Sequence, residues 1–176
     1  MDVRSRIMQA ALELLAQGGE LSQPRVSKAA GVRQSHLTYY FPTVTDLLQA
    51  VARHSFEHLA SELGAGGGAR RPASLAQGIA RATRDKRRVR MMLGLVTAAD
   101  RDASLKPRMR AFVKELRARI APMLAGAGLE VNHDDMAFIH TMVVGAAVLQ
   151  LARDDAAARK EARHVLERAV KCVARR

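Results

Sequence analysis

The sequence predicts an all-α protein of about nine helices, a three-helix head at the N-terminus followed by a helical body. Three features of the 176 residues predict it. Alanine and leucine dominate, and both are strong helix formers. β-Branched residues come only in short runs. Apolar residues recur three and four apart along most of the chain, the spacing that lines one face of a helix. With aromatics at 3% and no tryptophan, the core is expected to be aliphatic and filled by methionine.

A chain of this length holds one full core or two small domains sharing a helix. Cys172 is the single cysteine, so no internal disulfide is possible and a reducing cytosol suits the protein. Asp2, Arg4, Arg6 and Glu13 interrupt any apolar N-terminal stretch, and no signal peptide is expected. Met136–Ala152 is the most apolar segment, yet it contains His140 and Gln150 and is expected to be too short to span a membrane. A cytoplasmic protein without a membrane partner is the expectation.

The first helix is expected over Val3–Ala16, with Val3, Ile7, Ala10, Ala11, Leu14 and Leu15 on one face and Gly18-Gly19 as its stop. Arg4 and Arg6 lie in its first turn, placed either to touch a sugar-phosphate backbone or to be solvated. Residues 22–48 then read as a short helix, a tight turn, a second short helix and the start of a longer one. Ser22 is a candidate cap and Pro24 is tolerated near a helix start. Val26, Ala29 and Ala30 give a small apolar face, and Gly31 stands where the chain must turn. Leu37 and Phe41, four apart, should pin the second helix from beneath. Arg33, Gln34, Ser35 and His36 open it with hydrogen-bonding groups. This is the order of a helix-turn-helix, whose second helix offers its N-terminal residues to base edges in the major groove. Arg33 and Gln34 have the bidentate donor geometry suited to guanine and adenine. Ser35 and His36 can reach bases or phosphates, and the hydroxyls of Tyr39 and Tyr40 can donate to phosphate oxygens.

The run Ala29–Leu48, AAGVRQSHLTYYFPTVTDLL, resembles the DNA-binding signature of the TetR-type (tetracycline-repressor-like) transcriptional regulators. The agreement lies at Ala29–Gly31–Val32, Leu37, Tyr39–Tyr40–Phe41 and Leu47–Leu48, and Ala11–Gly19 resembles that family's first helix; together they cover about residues 3–63. The resemblance implies DNA binding by Arg33, Gln34, Ser35, His36, Thr38, Tyr39, Tyr40 and Thr43. Two positions depart from the family pattern. Val44 stands where a phosphate-touching lysine is common, and Thr38 where an aromatic is common.

Helix four is expected to follow Pro42, capped by Thr43 or Thr45, and to carry Val44, Leu47, Leu48, Val51, Ser55 and Leu59 to about Leu63. By the resemblance it links a DNA-binding domain, residues 1–63, to an effector-binding and dimerisation domain, residues 73–176. The glycine-rich run 64–72 between them is expected to be a mobile loop. In the body, helices are expected over about 73–83, 85–99, 104–125, 132–153 and 156–174. The second of these should turn Val89, Met92, Leu95, Val96 and Ala99 inward, and it opens with a basic cluster, Lys86-Arg87-Arg88 and Arg90, that opposes the helix dipole. The third carries a long apolar stripe, tolerates Pro107 in its first turn and should kink at Pro122. Asn132 should cap the fourth, which is apolar nearly all round and therefore calls for a partner chain. In TetR relatives the last two helices of each subunit form a four-helix dimer interface, and Val144, Val148, Leu151, Leu166, Val170 and Val173 are the residues expected there. The effector pocket is expected among Met91, Met92, Leu95, Met109, Phe112, Val113, Phe138 and Met142. Flanking arginines favour an anionic or amphipathic small molecule.

The net charge of +12 does not locate a binding face. Over residues 1–63, Arg4, Arg6, Arg25, Lys28, Arg33 and Arg53 balance Asp2, Glu13, Glu20, Asp46, Glu57 and Glu62, so the whole excess follows residue 63. Enzyme chemistry has no foothold: the sequence holds no metal-ligand cluster, Gly-rich phosphate loop or nucleophile motif. His54 and His58 are four apart without an acidic or thiol companion, so neither metal nor cofactor is expected. The expected function is a homodimeric, ligand-responsive regulator, most often a repressor in the family, bound to a palindromic double-stranded operator. The alternative is a basic all-α protein that binds nucleic acid without sequence preference.

Overall fold

The computed structural model describes residues 2–17, 21–65 and 71–175. Among them it places helices α1 (Val3–Ala16), α2 (Gln23–Ala30), α3 (Gln34–Tyr40), α4 (Val44–Ala65), α5 (Pro72–Ala82), α6 (Lys86–Arg101), α7 (Lys106–Gly126), α8 (His133–Arg153) and α9 (Ala156–Ala174), with a 3₁₀ turn at Ala103–Leu105 and no strand. The expected all-α fold class holds. Gly18-Gly19, residues 66–70 of the glycine-rich run and the side chain of Leu59 lie outside the described residues.

Two compact units divide the chain, and not at the glycine-rich run. One comprises residues 1–55 and 86–110, the other residues 56–85 and 111–176. Helix α6, expected in the body, thus belongs with the head. The reason is specific packing: α6 lies against α1, Arg90 donates through Nη1 to the carbonyl of Ala16 at the end of α1, and Gly94 sits beside Leu48 of α4. A helix's last carbonyls have no partner within the helix, and a cation there also meets the negative end of the dipole. This accounts for Arg90 in the basic cluster.

In the first unit α1 packs on α2 and α3 and buries Ile7, Met8, Ala10, Ala11 and Leu15, whereas Val3 and Leu14 are half-buried. Asp2 caps it by accepting from the Ser5 amide at 2.6 Å. Helix α2 buries Val26, Ser27 and Ala30, leaving Ala29 exposed against expectation. Ser22 occupies the cap position, but its hydroxyl makes no capping bond. Helix α4 opens with a reciprocal cap. The Thr43 hydroxyl accepts from the Asp46 amide at 3.1 Å, and Asp46 accepts from the Thr43 amide at 3.1 Å. In α6, Met91 is buried in place of Met92, and Val96 is 54% exposed.

In the second unit, Leu75 and Ala76 of α5, Leu124 of α7, Leu129 from the connection after it, Met136 and Ile139 of α8, and Val170 and Val173 of α9 belong to one core. Ala80, Ala146, Ala162 and Leu166 form a second cluster beside it. Asn132 and Asp135 form a capping box at the start of α8. Gln150, buried on α8, reaches back to the Thr83 carbonyl at 3.0 Å. Pro122 lies inside α7, which continues to Gly126. Helix α8 keeps the bounds expected for it. At 21 residues it is long and apolar enough to cross a membrane by length and composition, but it is also the helix against which α9 packs.

Candidate nucleic-acid interface

The second helix of the motif is held by apolar residues beneath it and by polar clamps at both ends. Leu37 is fully buried and Phe41 is 3% exposed, so the pair anchors α3 as its spacing predicts. Before it, α2 closes in a Schellman turn: Gly31 has φ +62, its amide donates to the Lys28 carbonyl, and the Val32 amide donates to Ser27. The Nη2 of Arg6 donates to the carbonyls of Ala30 at 2.8 Å and Gly31 at 2.9 Å. At the far end, Nε2 of Gln23 donates to the carbonyls of Phe41 at 3.1 Å and Pro42 at 2.9 Å. Arg4 lies over the Phe41 ring, 5.8 Å from its centroid. Arg4 and Arg6 thus have partners within the chain, although both residues remain exposed. Sequence spacing offered no signal for these contacts, because the Arg6 bonds span 24 and 25 residues.

With that side buried, α3 turns Gln34, Ser35, His36, Tyr39 and Tyr40 outward, and Arg33 precedes them, also exposed. Tyr39 is 81% exposed and Tyr40 42%, their rings edge to face at 5.2 Å. Tyr40 is therefore not a core aromatic. Two expected contacts are placed differently. The Thr38 hydroxyl donates back to its own helix, to the Gln34 carbonyl at 2.9 Å. The Thr43 hydroxyl donates to the Asp46 carboxylate at 2.7 Å. That bond, with Arg108 at 2.6 Å behind it, holds the Asp46 carboxyl below its ordinary range. Both threonine protons therefore have acceptors within the chain.

The first unit also gathers charge. Residues 86–110 bring Lys86, Arg87, Arg88, Arg90, Arg101, Lys106, Arg108 and Arg110 against Asp100 and Asp102. The unit that carries the motif is therefore strongly basic, although residues 1–63 alone are balanced.

The fold of the chain recurs among solved structures. A TetR-family member from Streptomyces coelicolor is 25% identical, with 96% of this chain and 98% of that one aligned and a TM-score of 0.72. The chain has the fold of the TetR family. Multidrug binding protein EbrR complexed with ethidium shares this fold at 25% identity, over 96% of this chain and 98% of that one, with a TM-score of 0.71. A TetR transcription regulator from Haloarcula marismortui aligns over 98% of both chains at 17% identity and a TM-score of 0.73. No protein-family profile and no curated protein matches the sequence.

Within the TetR-type fold, the residues expected at the effector pocket fall in both compact units: Met91, Met92, Leu95 and Met109 in one, Phe112, Val113, Phe138 and Met142 in the other. Met91 and Leu95 are buried in the first, while Phe138 is 41% exposed. Met142 lines a groove of about 150 Å³ between α8 and α9, with Leu149, Gln150, Arg153 and Glu161. On α7, Arg117 donates through Nε to Nδ1 of His140 at 3.2 Å, which fixes His140 as acceptor at that nitrogen. Of the six residues expected at the dimer interface, three are buried within the chain itself and three are half-buried. Leu166, Val170 and Val173 are 2%, 3% and 6% exposed and belong to the chain's own cores. Val144 and Leu151 are half-buried and share the face of His140, the one Arg117 of α7 engages, because residues four and eleven apart align on a helix. Val148 is half-buried. The apolar residues α8 leaves outermost are Phe138 and Leu149.

Proposed function

We propose that the protein is a homodimeric transcriptional regulator that binds a near-palindromic double-stranded operator and releases it when a small molecule binds. The observation that carries this reading is the exposed edge of α3. Arg33, Gln34, Ser35, His36, Tyr39 and Tyr40 stand outward on a short helix pinned by Leu37 and Phe41, in the fold of a family of transcriptional regulators. In this reading Arg33 and Gln34 read base edges, Ser35 and His36 reach bases or phosphates, and the two tyrosines donate to phosphate. The basic segment 86–110 in the same unit strengthens attraction to DNA through counterion release. Two copies would set their α3 helices in successive major grooves, about 34–36 Å apart.

For the dimer, the burial pattern favours the stripe Phe138, Met142, Gly145 and Leu149 on α8 over residues already held in the core. These four share one face by spacing, and 33% of the most apolar window of α8 is buried within a single chain. A ligand response is supported by EbrR, a neighbour that binds ethidium. Because α4 contributes to both units, its displacement by a ligand is the proposed link to DNA affinity. The ligand class proposed is anionic or amphipathic, the action repression, the compartment the cytoplasm, and no catalysis is proposed.

The test is selection of bound sequences from a random duplex pool, repeated with Arg33→Ala and Tyr39→Ala. Enrichment of a two-fold symmetric site, lost in both variants, supports the reading. Binding that collapses with salt and enriches nothing favours a non-specific nucleic-acid binder instead.

A further inference from the structure

We propose that Arg6 and Gln23 are positioning residues that set the recognition helix in register for sequence-specific binding, without themselves contacting DNA; this rests on the DNA-binding reading above. Helix α3 has seven residues, too few to hold its own orientation by helical hydrogen bonding. Its buried side rests on Leu37 and Phe41, which fix its depth but leave rotation and tilt open.

The two polar clamps close those freedoms. Both N–H groups of the Arg6 Nη2 are taken, one by the Ala30 carbonyl and one by the Gly31 carbonyl, where α2 turns into α3. Both N–H groups of the Gln23 Nε2 are taken by Phe41 and Pro42, where α3 ends. Arg6, on α1, holds the end of α2 and the turn that leads into α3. Gln23, opening α2, holds the residues that close α3, so the segments flanking α3 on its two sides are tied to different helices. The carbonyls they satisfy are the orphan acceptors that helix ends and turns leave behind. Arg4, stacked over Phe41, reinforces the second end.

A direct phosphate contact and a positioning role separate cleanly in the salt dependence. An arginine that neutralises a phosphate contributes about one unit to the salt slope, and its loss weakens all sequences alike. A positioning residue changes specific affinity and leaves the slope and non-specific affinity in place. The experiment measures affinity for the wild-type selected site and for a scrambled duplex, over a salt series, for Arg6→Met and Gln23→Leu, with melting temperature as the check on folding. The expected result is a specific-to-non-specific ratio lowered about tenfold, the loss of roughly one bidentate base contact, with an unchanged salt slope. Should Arg6→Met fail to fold, Gln23→Leu carries the comparison from the opposite end of α3, and a neutral residue cannot act by counterion release. A ratio equal to wild type, or equal losses on both duplexes with a slope smaller by about one, overturns the proposal while leaving the DNA-binding reading intact. A wild-type protein that selects no site overturns both.

Discussion

The guanidinium of Arg6 donates to the carbonyl oxygen of Gly31 at 2.9 Å, across 25 residues of sequence. That one contact joins the first helix to the turn of the motif. It depends on Gly31 keeping φ +62, a conformation L side chains rarely adopt. A Cβ built there would also meet Arg6 Nη2 at 3.2 Å. Gly31→Ala is expected to cost about 1–2 kcal/mol, mostly from backbone strain, because the end of an arginine can shift. Urea denaturation with an unchanged midpoint would contradict this.

The Thr43–Asp46 cap makes a second prediction. Thr43→Ala removes the acceptor for the Asp46 amide and the donor to its carboxylate, and is expected to cost about 1 kcal/mol. Arg108→Ala, at a pair with side chains 53% and 26% exposed, should cost less, about 0.5 kcal/mol or below. Thermal melts of the two variants test the order, which a larger loss for Arg108→Ala would reverse.

His140 supplies a pH dependence. Burial first, and the charge of Arg117 second, push its pKa below 6.5. Between that lowered value and 6.5 the unfolded chain binds more protons than the folded one. The stability at stake is therefore present above pH 6.5 and lost as pH falls through this window. His140→Gln keeps an acceptor for Arg117 but does not titrate. The wild-type melting temperature should fall more steeply than the variant's between about pH 7 and pH 5, and parallel profiles would count against the assignment.

Helix α8 separates association from folding. Leu149 is 56% exposed and Leu166 is 2% exposed. Leu149→Glu should shift a dimer toward monomer in sedimentation at nearly unchanged thermal stability. Leu166→Ala should lose about 2–5 kcal/mol, the range for emptying a buried leucine site. A monomeric wild type, or a Leu149→Glu protein as dimeric as wild type, would refute the proposed face.

Much of this was legible in the sequence because it is local. The bounds of α1, the turn at Gly31, the anchors Leu37 and Phe41, and the Asn132 cap follow from spacing and residue type within one or two turns. What escaped was set by distant contacts. Arg90 joins α6 to the end of α1 across 74 residues, so the head's compact unit includes a segment that sequence order assigns to the body. The apolar face of α9 was legible as a face, but periodicity does not say whether Leu166, Val170 and Val173 meet their own chain or another. Likewise Thr38 and Thr43 stand at positions of a binding pattern, while their hydroxyls bond to acceptors within the chain that sequence position alone does not reveal.

The exposed edge of α3 is tested most directly by equilibrium binding to the selected duplex and to its scrambled counterpart at one fixed salt concentration. The account expects a ratio of about a thousand or more for the wild type. It expects that ratio to fall by about tenfold or more in Arg33→Ala, in line with loss of a base contact. A wild-type ratio near one, or a ratio unchanged by Arg33→Ala, would contradict it.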